Sequence, residues 1–199
     1  MARYAPYKAL LIDLDNTIYD ENLYLFAAYS KIAEYLGGSN EKLRMKIDNF
    51  LKETFRKEGR RNLFDKLFDE FDIDSSEMQK MLEIMRNVKV ESGFEIFPGV
   101  RAILNRFTGD GKIVCVITNG NPVQQRNKVA HVNWNGLAEK MEFIYADEIA
   151  KKPSPEAALM FFKKHGLKGS EVLMIGDSRE DEQCARAAGM DFIHAEDLI

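Results

Sequence analysis

The sequence predicts an α/β fold in which a parallel sheet is covered by helices on both faces, with a helical segment inserted after the first strand. Three observations support this fold class. Short, continuously apolar runs are typical of strands buried on both faces, helical patterns lie between these runs, and one long stretch is helical in periodicity throughout. An open sheet of this kind binds its ligands beyond the carboxyl ends of its strands.

Five strands are predicted from apolar runs. The clearest are residues 9–14 (ALLIDL), 113–117 (IVCVI) and 172–175 (VLMI), and two shorter runs cover 143–145 and 192–193. The three clear runs do not alternate between apolar and polar residues, which indicates strands covered on both sides. β-Branched residues in the second run favour a strand over a helix.

Helices are predicted between the later strands. Apolar residues spaced i, i+3, i+4, i+7 from Val100 to Phe107 indicate one helix. Ser154, which is followed by a proline, predicts the start of a second helix. A third helix is expected over 179–188, because Gly189 suits the left-handed conformation in which helices often end.

Residues 18–95 interrupt this alternation and are predicted to form an inserted helical domain. Apolar spacing indicates helices over 43–55, 63–71 and 78–85. The Phe and Met residues of these helices are interpreted as the core of a bundle. The main domain is therefore predicted to consist of 1–17 and 96–199, and the insertion is expected to act as a lid over the strand ends.

Composition excludes several classes of protein. The 199 residues include 28 Lys and Arg, 32 Asp and Glu, and 2 Cys, with a net charge of −4. This slightly acidic balance argues against nucleic acid and anionic membrane as partners. No apolar stretch approaches the roughly 18 residues of a spanning helix. Cys115 and Cys184 lack the spacing of a disulfide framework or a zinc site, so a cytoplasmic protein is expected. The sequence has no signature of an oligomeric state.

Two acids follow the first predicted strand. Side chains alternate along an extended segment, so Asp13 and Asp15 point the same way from the end of this strand. Their charges repel one another, and the pair is favourable only with a cation or a shared proton between them. The alternative is an ordinary turn of Asp and Asn residues after a strand.

Further polar residues follow the other strands. Thr118 and Asn119, at the end of the second strand and before a helix start, could form an anion cradle or a plain strand-to-helix turn. Lys152 could neutralise a phosphate or a carboxylate cluster, or it could simply be solvated. Asp177, directly after the fourth strand, is a candidate Mg²⁺ ligand. By contrast, Asp181 is also explained by a capping box that stabilises the next helix.

The order of these residues carries a family resemblance. The stretches DLDNTIYD, FPGV, VITNG, KKPSPEAA and GDSREDEQCARAAGM span essentially the whole chain. In this order they are similar to the four motifs of the haloacid dehalogenase superfamily of phosphohydrolases. The resemblance implies a Rossmann-like core and an inserted helical cap of the C1 type that closes over small substrates.

The resemblance also implies a covalent phosphatase. Asp13 would be the nucleophile that forms an aspartyl-phosphate, and Asp15 would be the general acid and then the general base. Thr118 and the backbone of Asn119 would bind phosphoryl oxygens. Lys152 would supply positive charge to both the phosphate and the nucleophile.

A magnesium site is implied by the same motifs. Mg²⁺ would be held by Asp13, the carbonyl of Asp15 and Asp177. Asp181 would act one step further out, fixing a metal-bound water or Lys152. Many relatives place one more residue between the paired acids of the last motif, so Glu182 competes with Asp181 for this role. Asp181 is preferred, because the following alanines and glycine then stay in step with the family pattern.

The implied substrate is a small phosphorylated metabolite. Asp15 favours phosphoryl transfer over dehalogenation, because halide leaves without a proton. A nucleoside monophosphate, a sugar phosphate or a short acid such as phosphoglycolate is expected, with the nucleotidase and phosphoglycolate phosphatase-like branch nearest in pattern. The alternative is a non-catalytic or phosphate-responsive module resembling a receiver domain. Such a module could be a domain of a larger biosynthetic protein. The chain ends at Ile199, where relatives commonly continue, so a minimal member and a domain cut from a longer polypeptide are both expected alternatives.

Overall fold

A computed structural model describes residues 4–199 and confirms the predicted fold class. Five parallel strands form one sheet in the spatial order β3-β2-β1-β4-β5. The strands are β1 (Ala9–Ile12), β2 (Ile113–Thr118), β3 (Glu142–Tyr145), β4 (Val172–Gly176) and β5 (Asp191–His194). Because all strands are parallel, their carboxyl ends lie at the same edge, and β2, β1 and β4 are neighbours at its centre.

Eight α-helices complete the described part of the chain. Four belong to the inserted segment: α1 (Asn22–Gly37), α2 (Glu41–Glu58), α3 (Leu63–Phe71) and α4 (Met78–Asn87). The other four are α5 (Pro98–Gly109), α6 (Pro122–His131), α7 (Glu156–His165) and α8 (Arg179–Ala188). None of the helices in the described residues is long and apolar enough to cross a bilayer.

The chain divides into two compact units. One contains the described residues up to Glu21 together with Gly93–Ile199, and the other is Asn22–Ser92. The second unit begins and ends inside the predicted 18–95 insertion. The reason is the packing of the junction, because the buried rings of Tyr19 and Phe94 stack at 4.5 Å and hold both flanking segments in the sheet unit.

The three central strands of the sheet are buried on both faces, as their continuous apolar runs predicted, whereas the edge strands β3 and β5 are half-buried or exposed. On one face, alternate strand residues such as Leu11, Ile117 and Met174 form a core with Phe161 of α7 and Cys184 of α8. The intervening strand residues are equally buried, since side chains of a strand point alternately to its two faces.

The inserted unit has an apolar core of its own. Leu25, Tyr29 and Ile32 of α1 pack with Leu51 of α2 and Met81 of α4. The start of α2 is capped by the side chain of Asn40, whose Oδ1 accepts from the backbone N–H of Leu43 at 3.1 Å. Aromatic side chains add edge contacts within this core, including the rings of Phe26 and Phe55 at 5.9 Å. This unit is therefore a helical bundle stabilised by its own buried residues.

Candidate active site

A buried lysine joins the acids that follow β1 and β4. Asp13 follows β1 directly, and its backbone N–H donates to the carbonyl of Ile175 at 2.9 Å. Lys152 Nζ donates to Asp13 Oδ1 at 2.5 Å, to Asp181 Oδ1 at 2.6 Å and to the carbonyl of Ile117 at 2.9 Å. An ammonium group has three N–H donors, so these three acceptors use all of them. Lys152 is thus a fixed, buried cation between two carboxylates.

The loop that carries Lys152 is held by Asn119 after β2. Asn119 Oδ1 accepts from the backbone N–H of Lys152 at 2.8 Å, and Asn119 Nδ2 donates to the carbonyl of Lys152 at 2.9 Å. This pair of hydrogen bonds fixes both peptide groups of the lysine. The side chain of Asn119 therefore positions the cation, a contact that the sequence did not indicate.

The loop after β4 places a second pair of acids beside the lysine. Asp177 is half-buried, and Asp181 is completely buried in the first turn of α8. Asp181 Oδ2 accepts from the backbone N–H of Ser178 at 3.1 Å and from its hydroxyl at 2.6 Å. Glu182 is exposed on the same helix and makes none of these contacts. Asp181, rather than Glu182, thus lies against Lys152.

Gly176 at the end of β4 makes room for this arrangement. A Cβ at this position would lie 2.5 Å from the Cβ and the carboxylate of Asp181. Since real side chains never approach so closely, any residue other than glycine would displace Asp181 from Lys152.

The carboxylates converge in a way that fits a divalent cation. Oxygens of Asp13, Asp177 and Asp181 lie within 4.8 Å of one another. Carboxylate oxygens are the ligands that Mg²⁺ prefers. Both oxygens of Asp181 already accept hydrogen bonds, which fits an orienting role better than a direct one. The donor set therefore suits Mg²⁺, and the direct side-chain ligands available are Asp13 and Asp177.

Asp15 belongs to a different group of side chains. Its Oδ1 accepts from the hydroxyl of Tyr19 at 2.9 Å. Its Oδ2 accepts from Lys128 Nζ at 2.6 Å and from Gln125 Nε2 at 2.9 Å. Lys128 also donates to Glu21 Oε1 at 2.7 Å, and it is buried. The two acids that follow β1 therefore have separate cationic partners, Lys152 for Asp13 and Lys128 for Asp15.

Thr118 lies at the end of β2 and is connected to Asp15 through Gln125. Gln125 Nε2 donates to Thr118 Oγ1 at 2.6 Å as well as to Asp15. The hydroxyl oxygen of Thr118 accepts this bond, and the hydroxyl donates its own proton to the carbonyl of Asn119 over a long distance of 3.4 Å. The structure thus brings Thr118 to the same edge of the sheet as the carboxylates.

The electrostatics differ between the two acids. Burial raises the pKa of Asp13, and although Lys152 opposes this effect, the charges of Asp181 and Asp15 add to it, so that the pKa rises from 3.8 to about 8. Burial alone would also raise the pKa of Asp15, but the charge and hydrogen bond of Lys128 outweigh it and lower the pKa below its usual value. A further cation beside Asp13 would therefore favour its ionised form.

Burial and neighbouring charges also shift the pKa values of Lys152 and Asp177. Burial would lower the pKa of Lys152, yet its two carboxylate partners outweigh burial and raise the pKa, so that Lys152 stays charged. Burial, together with the charge of Asp181, raises the pKa of Asp177. A bound cation would reverse this shift by favouring the ionised carboxylate.

Sequence reasoning missed the residues around Asp15. Gln125 and Lys128 are the buried residues of α6, three positions apart and therefore on one face of the helix. That pattern was the available signal, because a helix against a sheet normally buries apolar residues on this face. Tyr19 and Glu21 were assigned to the insertion, which separated them from the site.

The sequence is similar to those of known proteins. The profile described as haloacid dehalogenase-like hydrolase matches residues 10–195. Phosphoglycolate phosphatase of Yersinia pseudotuberculosis is 33% identical over 102 residues, which make up 50% of this chain and 43% of that protein. Phosphoglycolate phosphatase of Pseudomonas syringae pathovar syringae is 29% identical over 190 residues, or 92% of this chain and 67% of that protein. The chain thus spans less than half the length of the Yersinia relative.

The fold has close counterparts among solved structures. A HAD-superfamily hydrolase of subfamily IA, variant 1, from Geobacter sulfurreducens superposes with a TM-score of 0.68 at 20% identity. The superposition covers 95% of this chain and 87% of that one. Similarity at this level of identity shows the shared fold, whereas the family profile covers the sequence almost from end to end. The chain therefore belongs to the haloacid dehalogenase-like hydrolase family.

Proposed function

We propose that this chain is a Mg²⁺-dependent phosphatase that hydrolyses a small phosphomonoester through an aspartyl-phosphate on Asp13. The observation that carries the proposal is the separation of the two acids after β1. Asp13 pairs with Lys152, whereas Asp15 pairs with Lys128. Two neighbouring carboxyl groups in different electrostatic surroundings suit one nucleophile and one proton carrier.

In the first half-reaction, a carboxylate oxygen of Asp13 bonds to phosphorus. The bond between phosphorus and the ester oxygen breaks, and its electron pair stays on that oxygen. Asp15, in its protonated form, gives its proton to the same oxygen, so the product leaves as an alcohol. The negative charge of the bound phosphate raises the pKa of a neighbouring carboxyl group, which offsets the effect of Lys128 on Asp15.

In the second half-reaction, water attacks the aspartyl-phosphate. The carboxylate of Asp15 accepts a proton from this water as the new bond to phosphorus forms. The bond between phosphorus and the Asp13 oxygen then breaks, which releases inorganic phosphate and restores the Asp13 carboxylate. The lowered pKa of Asp15 favours the ionised form that this step requires.

Positive charge and hydrogen-bond donors around Asp13 bind the phosphoryl group. The Thr118 hydroxyl and the backbone of Asn119 would donate to phosphoryl oxygens, and Lys152 would supply charge. Asp13, Asp177 and the carbonyl of Asp15 would hold Mg²⁺, with Asp181 orienting Lys152. When bound, Mg²⁺ supplies positive charge that offsets the negative charge of the carboxylates and of the transferred phosphoryl group.

The proposed substrate class is a small phosphorylated metabolite. The similarity to proteins named phosphoglycolate phosphatase supports a short phosphorylated acid as the first compound to test. The alternative of a phosphate-responsive module that does not turn over substrate is less well supported, because such a module has no need for Asp15 as a second, separately held proton carrier.

The proposal is tested by replacing Asp13 with asparagine. Turnover of p-nitrophenyl phosphate with Mg²⁺ is expected to fall by about 10³-fold or more, because the amide cannot form the covalent intermediate. The wild type is screened in parallel against a panel of small phosphorylated metabolites that includes phosphoglycolate. Phosphatase activity that survives in Asp13→Asn would overturn the mechanism.

The matched control is Asp110→Asn. Asp110 is exposed and precedes β2, so it lies at the opposite edge of the sheet from Asp13. The same chemical change at this position is expected to leave turnover within about twofold of the wild type. Circular dichroism of both variants shows whether the fold is retained.

A further inference from the structure

The side chains around Asp15 form a connected group of hydrogen bonds and ion pairs. We refer to Tyr19, Glu21, Gln125 and Lys128 as the Asp15 clamp. Three of them donate to the Asp15 carboxylate, Tyr19 to Oδ1 and Lys128 and Gln125 to Oδ2, whereas Glu21 accepts from Lys128. Three donors from two separate segments of the chain restrict the rotation of this carboxyl group.

Lys128 is the central member of the Asp15 clamp. Only 2% of its side chain is exposed, so its ammonium acts within the protein. Its distances are 2.6 Å to Asp15 Oδ2 and 2.7 Å to Glu21 Oε1. Glu21 is itself buried, and it fixes the direction in which Lys128 donates. A buried cation between two carboxylates has a single well-defined position, in contrast to a solvated lysine.

Gln125 extends the clamp to the predicted phosphate-binding hydroxyl. Its amide group donates both to Asp15 Oδ2 and to Thr118 Oγ1. Gln125 and Lys128 lie three residues apart on α6, and Asn121 caps this helix by accepting from the N–H groups of Val123 and Gln124. One rigid helix therefore sets the position of Asp15 relative to Thr118.

We propose that Lys128 is a positioning residue that holds the Asp15 carboxyl group in the orientation needed for proton transfer to the leaving oxygen, an inference that rests on the proposed phosphatase function. Without Lys128, Oδ2 keeps only its bond from Gln125 and Oδ1 its bond from Tyr19, so the carboxyl group loses its one charged donor and is held less firmly. Proton transfer requires the donor and acceptor to lie within hydrogen-bond reach, so loss of this orientation slows the step.

The test uses two aryl phosphates of similar shape. Phenyl phosphate has a poor leaving group that needs a proton as the bond breaks, whereas p-nitrophenolate leaves with little help. The ratio kcat/KM reports on steps up to this bond cleavage and excludes hydrolysis of the intermediate. Lys128→Met is expected to lower kcat/KM by about 100-fold for phenyl phosphate and by less than about 10-fold for p-nitrophenyl phosphate.

A double-mutant cycle with Asp15→Asn shows whether Lys128 acts through Asp15. If it does, adding Lys128→Met to Asp15→Asn lowers kcat/KM for phenyl phosphate no further. A further fall equal to that of the single Lys128 variant would overturn the proposal. Lys164→Met is the control, because Lys164 also pairs with a carboxylate, that of Glu142. Glu142 is the first residue of β3, so this pair lies at the edge of the sheet away from the carboxyl ends of the strands.

A second variant distinguishes loss of the positioning role from loss of folding. Lys128→Met leaves the buried Glu21 and the half-buried Asp15 without their cation, whereas the double variant Lys128→Met/Glu21→Gln removes one charge of each sign. The double variant is expected to show the same unequal loss on the two esters. An equal loss on both esters, or no loss on either, contradicts the positioning role. A wild-type protein that hydrolyses neither ester overturns the proposed function and this inference with it.

Discussion

Replacing Lys152 with methionine removes the cation that Asp13 and Asp181 share. Methionine keeps most of the volume of the side chain, so the change isolates the charge. The two carboxylates lose bonds of 2.5 and 2.6 Å, and both residues are buried, with 7% of Asp13 and none of Asp181 exposed. The carbonyl of Ile117 loses its donor as well.

The expected loss of stability is large. Removing one partner of a buried ion pair typically costs 3–5 kcal/mol, because the remaining charge is left without compensation. Here Asp13, whose pKa is already raised, takes up a proton once the lysine is gone, while Asp181 is left without its cation, so we expect the free energy of unfolding to fall by about 3–5 kcal/mol. Lys152→Met/Asp181→Asn leaves only one of them and is expected to recover part of this loss.

Urea denaturation followed by tryptophan fluorescence measures this change. Trp134 is the single tryptophan of the sequence, and it is buried in the sheet unit. Its ring packs edge-on against Phe143 of β3 at 5.5 Å, and its Nε1–H donates to the carbonyl of Val129 at 2.8 Å. Fluorescence therefore reports on unfolding of the unit that contains Lys152.

Two comparisons make the prediction refutable. Lys164→Met removes an exposed ion pair and is expected to change stability by less than about 1 kcal/mol. Mg²⁺ is expected to stabilise Lys152→Met more than it stabilises the wild type, because it replaces the missing charge. If Lys152→Met were as stable as Lys164→Met, the buried charge network described here would be wrong.

Three further predictions concern the metal, pH and packing. Mg²⁺ is expected to raise the melting temperature of the wild type by about 5 °C or more, and to raise that of Asp177→Asn less, as differential scanning fluorimetry would show. Burial alone would raise the pKa of Glu142, but the hydrogen bond from Lys164 outweighs burial and lowers this pKa below 4.5. The ionised Glu142 therefore stabilises the fold above this pH, and the stabilisation is lost as the pH falls. Glu142→Gln should therefore be destabilised by about 0.5 kcal/mol at pH 7 and match the wild type near pH 3, by urea titration at each pH. Gly169→Ala places a Cβ 2.2 Å from the carbonyl oxygen of Ala188, and its urea midpoint is expected to show a loss of about 1–3 kcal/mol, whereas an unchanged midpoint would contradict the close packing there.

Much of the fold follows from local patterns. The continuous apolar runs identify the three central strands, because a strand covered on both faces lacks polar alternation, and the edge strands β3 and β5 are indicated by shorter apolar runs. Helix α8 has the predicted bounds of Arg179–Ala188, since Ser178 caps its start and Gly189, with φ of +73°, ends it. The first inserted helix was not singled out. Its apolar residues, which include Tyr24, occur on most of its faces and obscure the helical period.

Some residues of the candidate site could be placed from the sequence and others could not. Asp13, Thr118 and Asp177 could be placed from sequence, because each lies at or directly after the end of a strand and parallel strands end at one edge. The partner of Asp15 could not be placed in this way. Lys128 reaches Asp15 only because α6 lies against the sheet with a polar face inward, and such packing depends on contacts between residues far apart in the chain.

The carboxylate of Asp181 connects the buried Lys152 to the first turn of α8. One oxygen holds the lysine between the acids, while the other holds the backbone N–H and hydroxyl of Ser178. Any event that pulls this carboxylate towards the lysine or away from it must also alter the opening turn of α8. The amide resonances of that turn in an NMR spectrum should therefore report whether the site beside Lys152 is occupied, without any extrinsic probe attached to the protein.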